Sequence, residues 1–301
     1  IPAYNESESL NELHDWISKV VKRMNVVYEI IIIDDGSSDR TVEIAKEHNV
    51  DHIVSLTKNQ GLAKVFMTGI ETCLKNGADI IVNTDADNQY NADDIPALIK
   101  PIIDGKLDIV IGARPIKSIP HFSFLKKCLQ RLGSFMMNWV SNTNIPDAPS
   151  GFRAISRNAA LQLNIFNNYT YTLEMIIQAG KKNLAIGSVP ITVNKDERPS
   201  KLVKSIPQYI KRSIVTMLRI FNTYKPLQFF TTIGVISIFF GLLFGIRWII
   251  LFMGKGQAQH LPSLILTAIL IVIGTQLFIV GLFGDLISVN RKLLEDIQLK
   301  I

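Results

Sequence analysis

The sequence predicts an α/β domain with a mostly parallel sheet and helices on both faces, followed by interfacial helices and a C-terminal two-helix transmembrane hairpin. Three observations support this. Short apolar runs alternate with helical patterns, which is typical of βαβ units. Several of these runs end in acidic or polar residues. After Pro226, charged residues nearly disappear until Asp285, which indicates a membrane portion in the 301-residue chain.

Charge and cysteine usage exclude several classes of protein. The net charge is +6, but the basic residues flank the apolar segments and form no aromatic-interleaved patch, so we expect no nucleic-acid partner. Cys73 and Cys128 lie far apart, without Cys or His at ligand spacing, which indicates neither a zinc site nor a disulfide framework. The chain opens on Ile1-Pro2, where a strand should already be ending, so we expect preceding residues to be missing.

The first two thirds read as alternating strands and helices. Ser9 and Glu12 have capping-box spacing before an amphipathic helix, and Asp39 is a candidate cap for a helix over Thr41 to His48. Later, Thr172 is a candidate cap. The predicted strands are Glu29 to Ile33, His52 to Leu56, Asp79 to Thr84, Leu107 to Ile111, and a β-rich segment over Ala185 to Val193.

Asp85 and Asp87 follow the Asp79 to Thr84 run. In an extended segment the side chains at i and i+2 point to the same side, so both carboxylates can converge on one Mg²⁺ or Mn²⁺, with Gln89 continuing the row. Such an ion takes further ligands from substrate phosphates, which implies a nucleotide diphosphate compound. The alternative is an ordinary polar turn. Other strand ends with polar tips, at Asp34-Asp35 and after Pro2, favour a shared ligand crevice.

Six polar motifs follow one another along the chain. They are Pro2-Ala3-Tyr4-Asn5-Glu6, Asp34-Asp35-Gly36-Ser37-Ser38-Asp39, Asn59-Gln60-Gly61-Leu62, Asp85-Ala86-Asp87-Asn88-Gln89, Gly112-Ala113-Arg114 and Ser150-Gly151-Phe152-Arg153. In this order they resemble the motifs of family 2 glycosyltransferases of the polyprenyl-phosphate type, related to dolichol-phosphate mannose synthase and bacterial polyprenyl-phosphate glycosyltransferases. The resemblance implies a GT-A fold and an enzyme that moves one sugar from a GDP- or UDP-linked donor to a polyprenyl phosphate.

The resemblance also implies roles for individual residues. It assigns the metal to Asp85, Asp87 and Gln89, and catalysis to Asp85, Asp87 and Arg114. It assigns the lipid phosphate to Arg114, Arg131 and Ser134. The residues implied for the nucleotide sugar are Pro2, Tyr4, Glu6, Asp35, Asp85, Ala86, Asp87, Arg198 and Lys201.

Two segments leave alternatives open. His121 to Val140 is a basic, apolar helix that suits either the membrane interface or a core. Arg198-Pro199-Ser200-Lys201 resembles the family's basic segment over the donor phosphates, although it lacks the usual glycine. Either Lys201 or Lys204 could therefore reach the phosphate, and the alternative is a solvated surface loop.

The composition divides the whole chain into four parts. We expect a catalytic domain over 1–200, an amphipathic juxtamembrane helix over 201–226, two transmembrane helices over 227–286 and a cytoplasmic tail over 287–301. The Gly254 to His260 link holds one Lys, whereas basic residues flank the outer ends, so the catalytic domain should face the cytoplasm. Arg247, near a helix end, is expected to snorkel.

These features predict an inverting, metal-dependent transferase that produces a lipid-linked monosaccharide for glycan or cell-envelope assembly. One alternative is a processive membrane polysaccharide synthase, but Gln130-Arg131 does not continue into a Q-x-x-R-W motif and two spans form no pore. The other is a non-catalytic subunit that binds a nucleotide or lipid. The sequence leaves the sugar, the nucleotide base, the isoprenoid length and homo-oligomer formation open.

Overall fold

The computed structural model describes residues 1–24, 26–115, 138–165, 171–194, 215, 218–219, 222–255 and 261–298. They belong to two compact units, 1–210 and 211–301. In unit 1 the strands are β1 Pro2–Ala3, β2 Ile31–Asp34, β3 His52–Ser55, β4 Ile80–Asn83, β5 Ile109–Ala113, β6 Arg153–Ser156 and β7 Ile186–Pro190. Its helices are α1 Leu10–Arg23, α2 Thr41–Glu47, α3 Leu62–Lys75, α4 Ile95–Ile103, α5 Arg157–Gln162 and α6 Tyr171–Lys181.

The first sheet is parallel throughout. Its order is β1-β2-β3, with Pro2 paired with Ile33 and Ile33 with Val54. All four residues of β2 are buried, which explains the unbroken apolar run, because a strand covered on both faces needs no polar alternation. The carboxyl ends of β1 and β2 consequently lie at one edge of the sheet.

The second sheet is mixed, with the order β4-β6-β5-β7. The β6 strand runs antiparallel to both β4 and β5, whereas β5 and β7 are parallel. Three of the five pairings in the two sheets are therefore parallel, so the mostly parallel prediction is confirmed. Two local predictions were wrong: Ser9 makes no side-chain capping hydrogen bond, and Thr172 lies inside α6 rather than capping it.

The core of unit 1 fills the space beside and between the strands. Helices α1 and α4 contribute Leu10, Leu13 and Leu98, which are almost completely buried. An apolar cavity of about 500 Å³ is lined by residues from both sheets, including Ile33 and Ile81. Asp85 and Asp87 do not line it, although Asn83 and Thr84, directly before them, do.

Unit 2 contains two long helices, α7 Pro226–Lys255 and α8 Leu261–Gln298. Pro226–Met253 and Leu261–Asn290 have mean hydropathies of 2.3 and 2.5 and are long enough to cross a membrane. Helix α8 continues through the segment predicted to be a tail. The two helices pack closely where glycines meet, since a Cβ on Gly274 would lie 2.7 Å from the carbonyl oxygen of Gly234. Ser237 Oγ also donates to the carbonyl oxygen of Leu270 at 2.8 Å.

Candidate active site

The loops after β1 and β2 are joined by hydrogen bonds. The Asn5 N–H donates to Ser37 Oγ at 2.9 Å, and Asn5 Oδ1 accepts from the Ser38 N–H at 2.9 Å. Asn5 has a φ of 55°, a left-handed conformation that Asn tolerates better than most residues. Tyr4 is 44% exposed, whereas Pro2 and Glu6 are buried. Of these three predicted nucleotide ligands, Tyr4 alone presents a large exposed surface.

The carboxylate of Asp35 accepts hydrogen bonds from the backbone. Its two carboxylate oxygens accept from the N–H groups of Gln60 and Gly61 at 2.7 and 3.0 Å. Asp34 accepts from the Ser37 N–H at 3.0 Å. Gly36 between them has a φ of +71°, and a Cβ there would lie 2.9 Å from the Lys58 backbone. This acid pair therefore holds the 36–38 and 60–61 loops together.

A turn, rather than an extended segment, carries Asp85 and Asp87. Strand β4 ends at Asn83, and Asn88 has a φ of 56°. Asp87 Oδ1 accepts from the Gln89 N–H at 3.2 Å. The turn is tied to the start of α1, because Ser9 Oγ donates to the Ala86 carbonyl oxygen at 2.7 Å and contacts Glu6 Oε2 at 3.0 Å. The hydroxyl that was expected to cap α1 thus connects the β1 loop with the acidic turn.

The charge of Asp85 is poorly compensated. Burial and the neighbouring charge of Asp87 raise the pKa of Asp85 to about 6, against the opposing effects of Arg114 and Arg153. Within the described part of the chain, no hydrogen bond is donated to its carboxylate. A half-buried carboxylate beside a like charge favours its neutral form unless a cation is bound.

Gly151 lies directly against this carboxylate. Its N–H donates to Tyr90 Oη at 2.9 Å, and its carbonyl oxygen accepts from Asn83 Nδ2 at 2.7 Å. A Cβ at this position would lie 2.5 Å from Asp85 Oδ2, so a side chain would collide with the carboxylate. Gly151 therefore permits a close approach that no larger residue permits.

Arg114 and Asp147 form an ion pair that the sequence did not indicate. Nε of Arg114 donates to Asp147 Oδ2 at 2.7 Å, and Nη2 donates to Oδ1 at 3.0 Å. Asp147 is completely buried. Burial alone would lower the pKa of Arg114, but the hydrogen bonds to Asp147 and the charge of Asp85 keep it above its ordinary value. The pair places one guanidinium within electrostatic reach of the acidic turn.

Arg153 is a second guanidinium, and it is fully buried. It donates to the carbonyl oxygens of Ser150, Ala148 and Thr172 at 2.7, 2.7 and 2.8 Å. These bonds fix the loop that carries Asp147 and Gly151. The turn-like residue types of that loop gave no indication in the sequence that Arg153 is buried and holds the loop. The unusual Arg at the start of an apolar strand was the one available signal.

Several predicted site residues lie outside the described part of the chain: Arg131, Ser134, Arg198, Lys201 and Lys204, with most of both predicted amphipathic helices. The described chain nevertheless leads toward Arg198 from the acidic turn. The Asn194 N–H donates to the Gln89 carbonyl oxygen at 3.0 Å, and Asn194 Nδ2 donates to the Asn88 carbonyl oxygen at 2.8 Å.

The residues of the turn fit a divalent cation. Asp85, Asp87 and Gln89 offer only oxygen donors from their side chains, which are the donors that Mg²⁺ and Mn²⁺ prefer. Burial and the charge of Asp87 raise the pKa of Asp85, and a bound cation would lower this pKa. The Asp85 and Asp87 side chains remain partly exposed, so a ligand can reach them.

Three known proteins are similar to this chain in sequence. A UDP-N-acetylglucosamine–dolichyl-phosphate N-acetylglucosaminyltransferase of Methanococcus voltae is 34% identical over 214 residues, 64% of this chain and 82% of that protein. A dolichol-phosphate mannosyltransferase of Pyrococcus furiosus is 32% identical, over 70% and 60% of the two chains. An undecaprenyl-phosphate 4-deoxy-4-formamido-L-arabinose transferase of Photorhabdus laumondii is 26% identical over 296 residues, 96% and 87% of the two chains.

A solved structure supports the fold. Glucosyl-3-phosphoglycerate synthase from Mycobacterium tuberculosis, in complex with Mn²⁺, uridine diphosphate and glucosyl-3-phosphoglycerate, has a TM-score of 0.56 and 20% identity, over 72% of this chain and 77% of that one. The predicted GT-A fold is confirmed. The sequence model described as Glycosyl transferase family 2 matches residues 1–163. The chain belongs to glycosyl transferase family 2 and is a glycosyltransferase.

Proposed function

We propose that this protein transfers one sugar from a nucleotide sugar to a polyprenyl phosphate, with inversion at the anomeric carbon and with Mg²⁺ or Mn²⁺ bound. The observation that carries the proposal is the carboxylate of Asp85, which is half-buried beside Asp87 with its charge uncompensated by any described hydrogen-bond donor. Relatives named for dolichyl and undecaprenyl phosphates, together with two membrane-length helices, favour a lipid phosphate as acceptor.

Donor binding follows from the loops at the strand ends. Tyr4 is the exposed ring of the β1 loop and would contact the nucleoside. The 36–38 and 60–61 loops, held together by the acid pair Asp34 and Asp35, would form the wall of that pocket. Arg198 and Lys201 follow Asn194, which is hydrogen-bonded to the acidic turn, so they are proposed to close over the diphosphate.

The chemistry requires little proton transfer. A phosphate monoester is already anionic near neutral pH, so its oxygen can attack the anomeric carbon directly, and direct attack inverts the configuration. The bound cation would stabilise the departing diphosphate. The protein's own contribution is to align the two substrates and to place fixed charges near the developing negative charge.

The acceptor phosphate is proposed to lie near Arg114, with Arg131 and Ser134. Arg114 donates from Nε and Nη2 to Asp147, and these bonds orient the guanidinium that is proposed to contact the phosphate. An Arg fork that is already oriented by a carboxylate loses less freedom on binding than a free side chain. Arg131→Lys and Arg131→Ala should both raise the apparent KM for polyprenyl phosphate. Calorimetry with metal present should find the affinity for the nucleotide sugar unchanged within about a factor of two. This is well below the tenfold change in affinity that corresponds to about 1.4 kcal/mol.

A direct assay tests the proposal. Full-length protein in detergent or vesicles is incubated with a panel of labelled nucleotide sugars, Mn²⁺ and a polyprenyl phosphate, and lipid-linked products are separated and their anomeric configuration is determined by NMR. One donor should yield a monosaccharide lipid of opposite configuration. A polymeric product would instead identify a processive synthase, and binding without turnover would identify a non-catalytic subunit.

Membrane orientation has its own test. Because basic residues flank the outer ends of α7 and α8, the catalytic domain is proposed to face the cytoplasm. A Gln257→Cys variant should be labelled by an impermeant thiol reagent from outside intact cells. Labelling only after the cytoplasmic side has been opened would show that the orientation is the opposite of the proposed one.

A further inference from the structure

We propose that a transition-metal ion such as Zn²⁺ binds between α1 and α2, held by His14, Asp15 and His48. The site does not depend on the proposed transferase activity. It differs from the acidic turn in its donors, since it combines two imidazoles with one carboxylate. The ion clamps the two helices that follow the β1 and β2 loops.

The side-chain atoms already have the spacing of a metal site. One ligand atom from each of the three residues lies within 4.8 Å of the others. Nδ1 of His14 and Nδ1 of His48 each lie 3.3 Å from Asp15 Oδ1. In a tetrahedral zinc site with bonds of about 2.0–2.2 Å, neighbouring ligand atoms are about 3.4 Å apart. Asp15 therefore needs little movement relative to either imidazole.

The hydrogen bond between His48 and Asn11 orients the imidazole so that its other nitrogen can bind a metal. Asn11 Oδ1 lies 2.7 Å from His48 Nε2, and an amide oxygen can only accept, so the ring proton resides on Nε2. In the neutral ring, Nδ1 then turns a lone pair toward Asp15 Oδ1, which is also an acceptor. A metal ion between them replaces this repulsion with two bonds. Histidines that bind metals commonly donate their other ring N–H to an oxygen in this manner.

The helices fix the arrangement. One face of α1 carries Asn11, His14 and Asp15, because they occupy positions i, i+3 and i+4. His48 is the C-cap residue that directly follows α2. The side chains of His14 and His48 are 14% and 25% exposed, which limits their freedom, whereas that of Asp15 is 72% exposed. The ion can therefore enter from solvent. Imidazole donors select Zn²⁺, Co²⁺ or Ni²⁺ over Mg²⁺.

The two helices that hold the proposed metal are also hydrogen-bonded to the β1 loop. The Glu6 N–H donates to Thr41 Oγ1 at 2.9 Å, at the start of α2, and Glu6 also contacts Ser9 at the start of α1. A metal held by His14 and Asp15 of α1 and by His48 would reduce the motion of α1 relative to α2. Because the ion binds only the folded protein, it raises the unfolding midpoint by mass action.

The test uses the full-length protein in detergent with excess Mg²⁺ to occupy the oxygen-donor site. Co²⁺ is titrated and followed by its visible absorption, and Zn²⁺ is titrated by calorimetry. Wild type should bind one ion with a d–d band typical of nitrogen and oxygen ligands, and the unfolding midpoint should rise. His14→Ala, His48→Ala and Asp15→Asn should weaken this binding by at least about tenfold, which corresponds to 1.4 kcal/mol.

His52→Ala is the matched control, because His52 is a partly exposed histidine that lies 3.3 Å from Glu29 and does not belong to the group formed by His14, Asp15 and His48. It should bind Co²⁺ like the wild type. If His48→Ala also disturbs folding, the exposed Asp15→Asn variant decides the result. Equal Co²⁺ affinity in wild type and Asp15→Asn, or an equal loss in His52→Ala, would overturn the proposal.

Discussion

The acid pair at the end of β2 and the acid pair after β4 consist of the same residue type in similar positions, but they have different surroundings. Asp34 and Asp35 accept from the N–H groups of Ser37, Gln60 and Gly61. Asp85 receives no hydrogen bond from the described residues, and the pKa of its carboxyl is raised to about 6 by burial and by Asp87. The fold satisfies the carboxylates of the first pair, whereas the Asp85 carboxylate of the second pair leaves charge for a ligand.

This difference separates structural from functional carboxylates. Hydrogen bonds to a buried carboxylate stabilise its charged form, and removing them leaves unsatisfied donors. A charge without such donors costs stability in the free protein and is tolerated where a ligand neutralises it. The nucleotide role of Asp35 stays a prediction; in the structure its carboxylate holds the 60–61 loop through two backbone N–H groups.

The largest expected effect concerns the acidic turn. Asp87→Asn should lower transferase turnover by at least about a hundredfold, because loss of metal-assisted charge stabilisation removes several kcal/mol from the transition state. Metal-dependent nucleotide binding should weaken in parallel, while the unfolding midpoint stays near that of wild type. Asp104→Asn is the matched control, since Asp104 pairs with Lys106 in an exposed loop. Full turnover by Asp87→Asn would remove the metal assignment.

Asp35→Asn should show the opposite pattern. The amide retains one acceptor oxygen but turns an NH₂ group toward a backbone N–H, which should cost about 1–3 kcal/mol of unfolding free energy. Asp85→Asn, by contrast, should leave the metal-free protein equally or more stable. Denaturant unfolding in EDTA compares the two variants. Equal destabilisation by both would show that the two acid pairs are not different in kind.

Gly151→Ala tests the contact between the loop and the acidic turn. A Cβ would lie 2.5 Å from Asp85 Oδ2, and the N–H and carbonyl of Gly151 are both hydrogen-bonded, so the carboxylate must move. We expect metal-dependent nucleotide affinity to fall roughly tenfold, or 1.4 kcal/mol. Gly69→Ala is the control, because its Cβ would meet Ile33 at an ordinary 3.4 Å. Unchanged affinity in Gly151→Ala would mean that Asp85 does not hold the ion in this position.

The smallest effect is a pH dependence. The folded-state pKa of Asp85 is about 6, above the ordinary 3.8, so the folded protein binds this proton more tightly than the unfolded chain does. Its contribution to stability is fully present below 3.8 and is lost as the pH rises through about 6. The stability of metal-free Asp85→Asn relative to wild type should therefore increase between about pH 5 and pH 7.5. A difference that does not change with pH would contradict the raised pKa.

Local patterns in the sequence determined much of the protein. The apolar runs of β2 and β4 predicted strands. All four residues of β2 are buried, because a strand covered on both faces needs no polar alternation, whereas alternate residues of β4 are only partly buried. The length and composition of α7 and α8 predicted membrane spans for the same kind of reason. The sequence also predicted the acid pair after β4, but in an extended segment rather than in the turn that the structure shows. Each of these signals lies within a few consecutive residues, so a single chain reveals it.

Only the tertiary structure decided which polar groups meet. Asp147 reaches Arg114, Ser9 reaches Ala86 and His48 reaches Asp15 across long separations in the chain. Strand β6 enters the second sheet antiparallel between β4 and β5, which carries Gly151 to Asp85. Such contacts depend on the packing of whole elements, and residue type at one position does not encode its distant partner. The same reason explains why two similar acid pairs became a loop anchor and a candidate metal site.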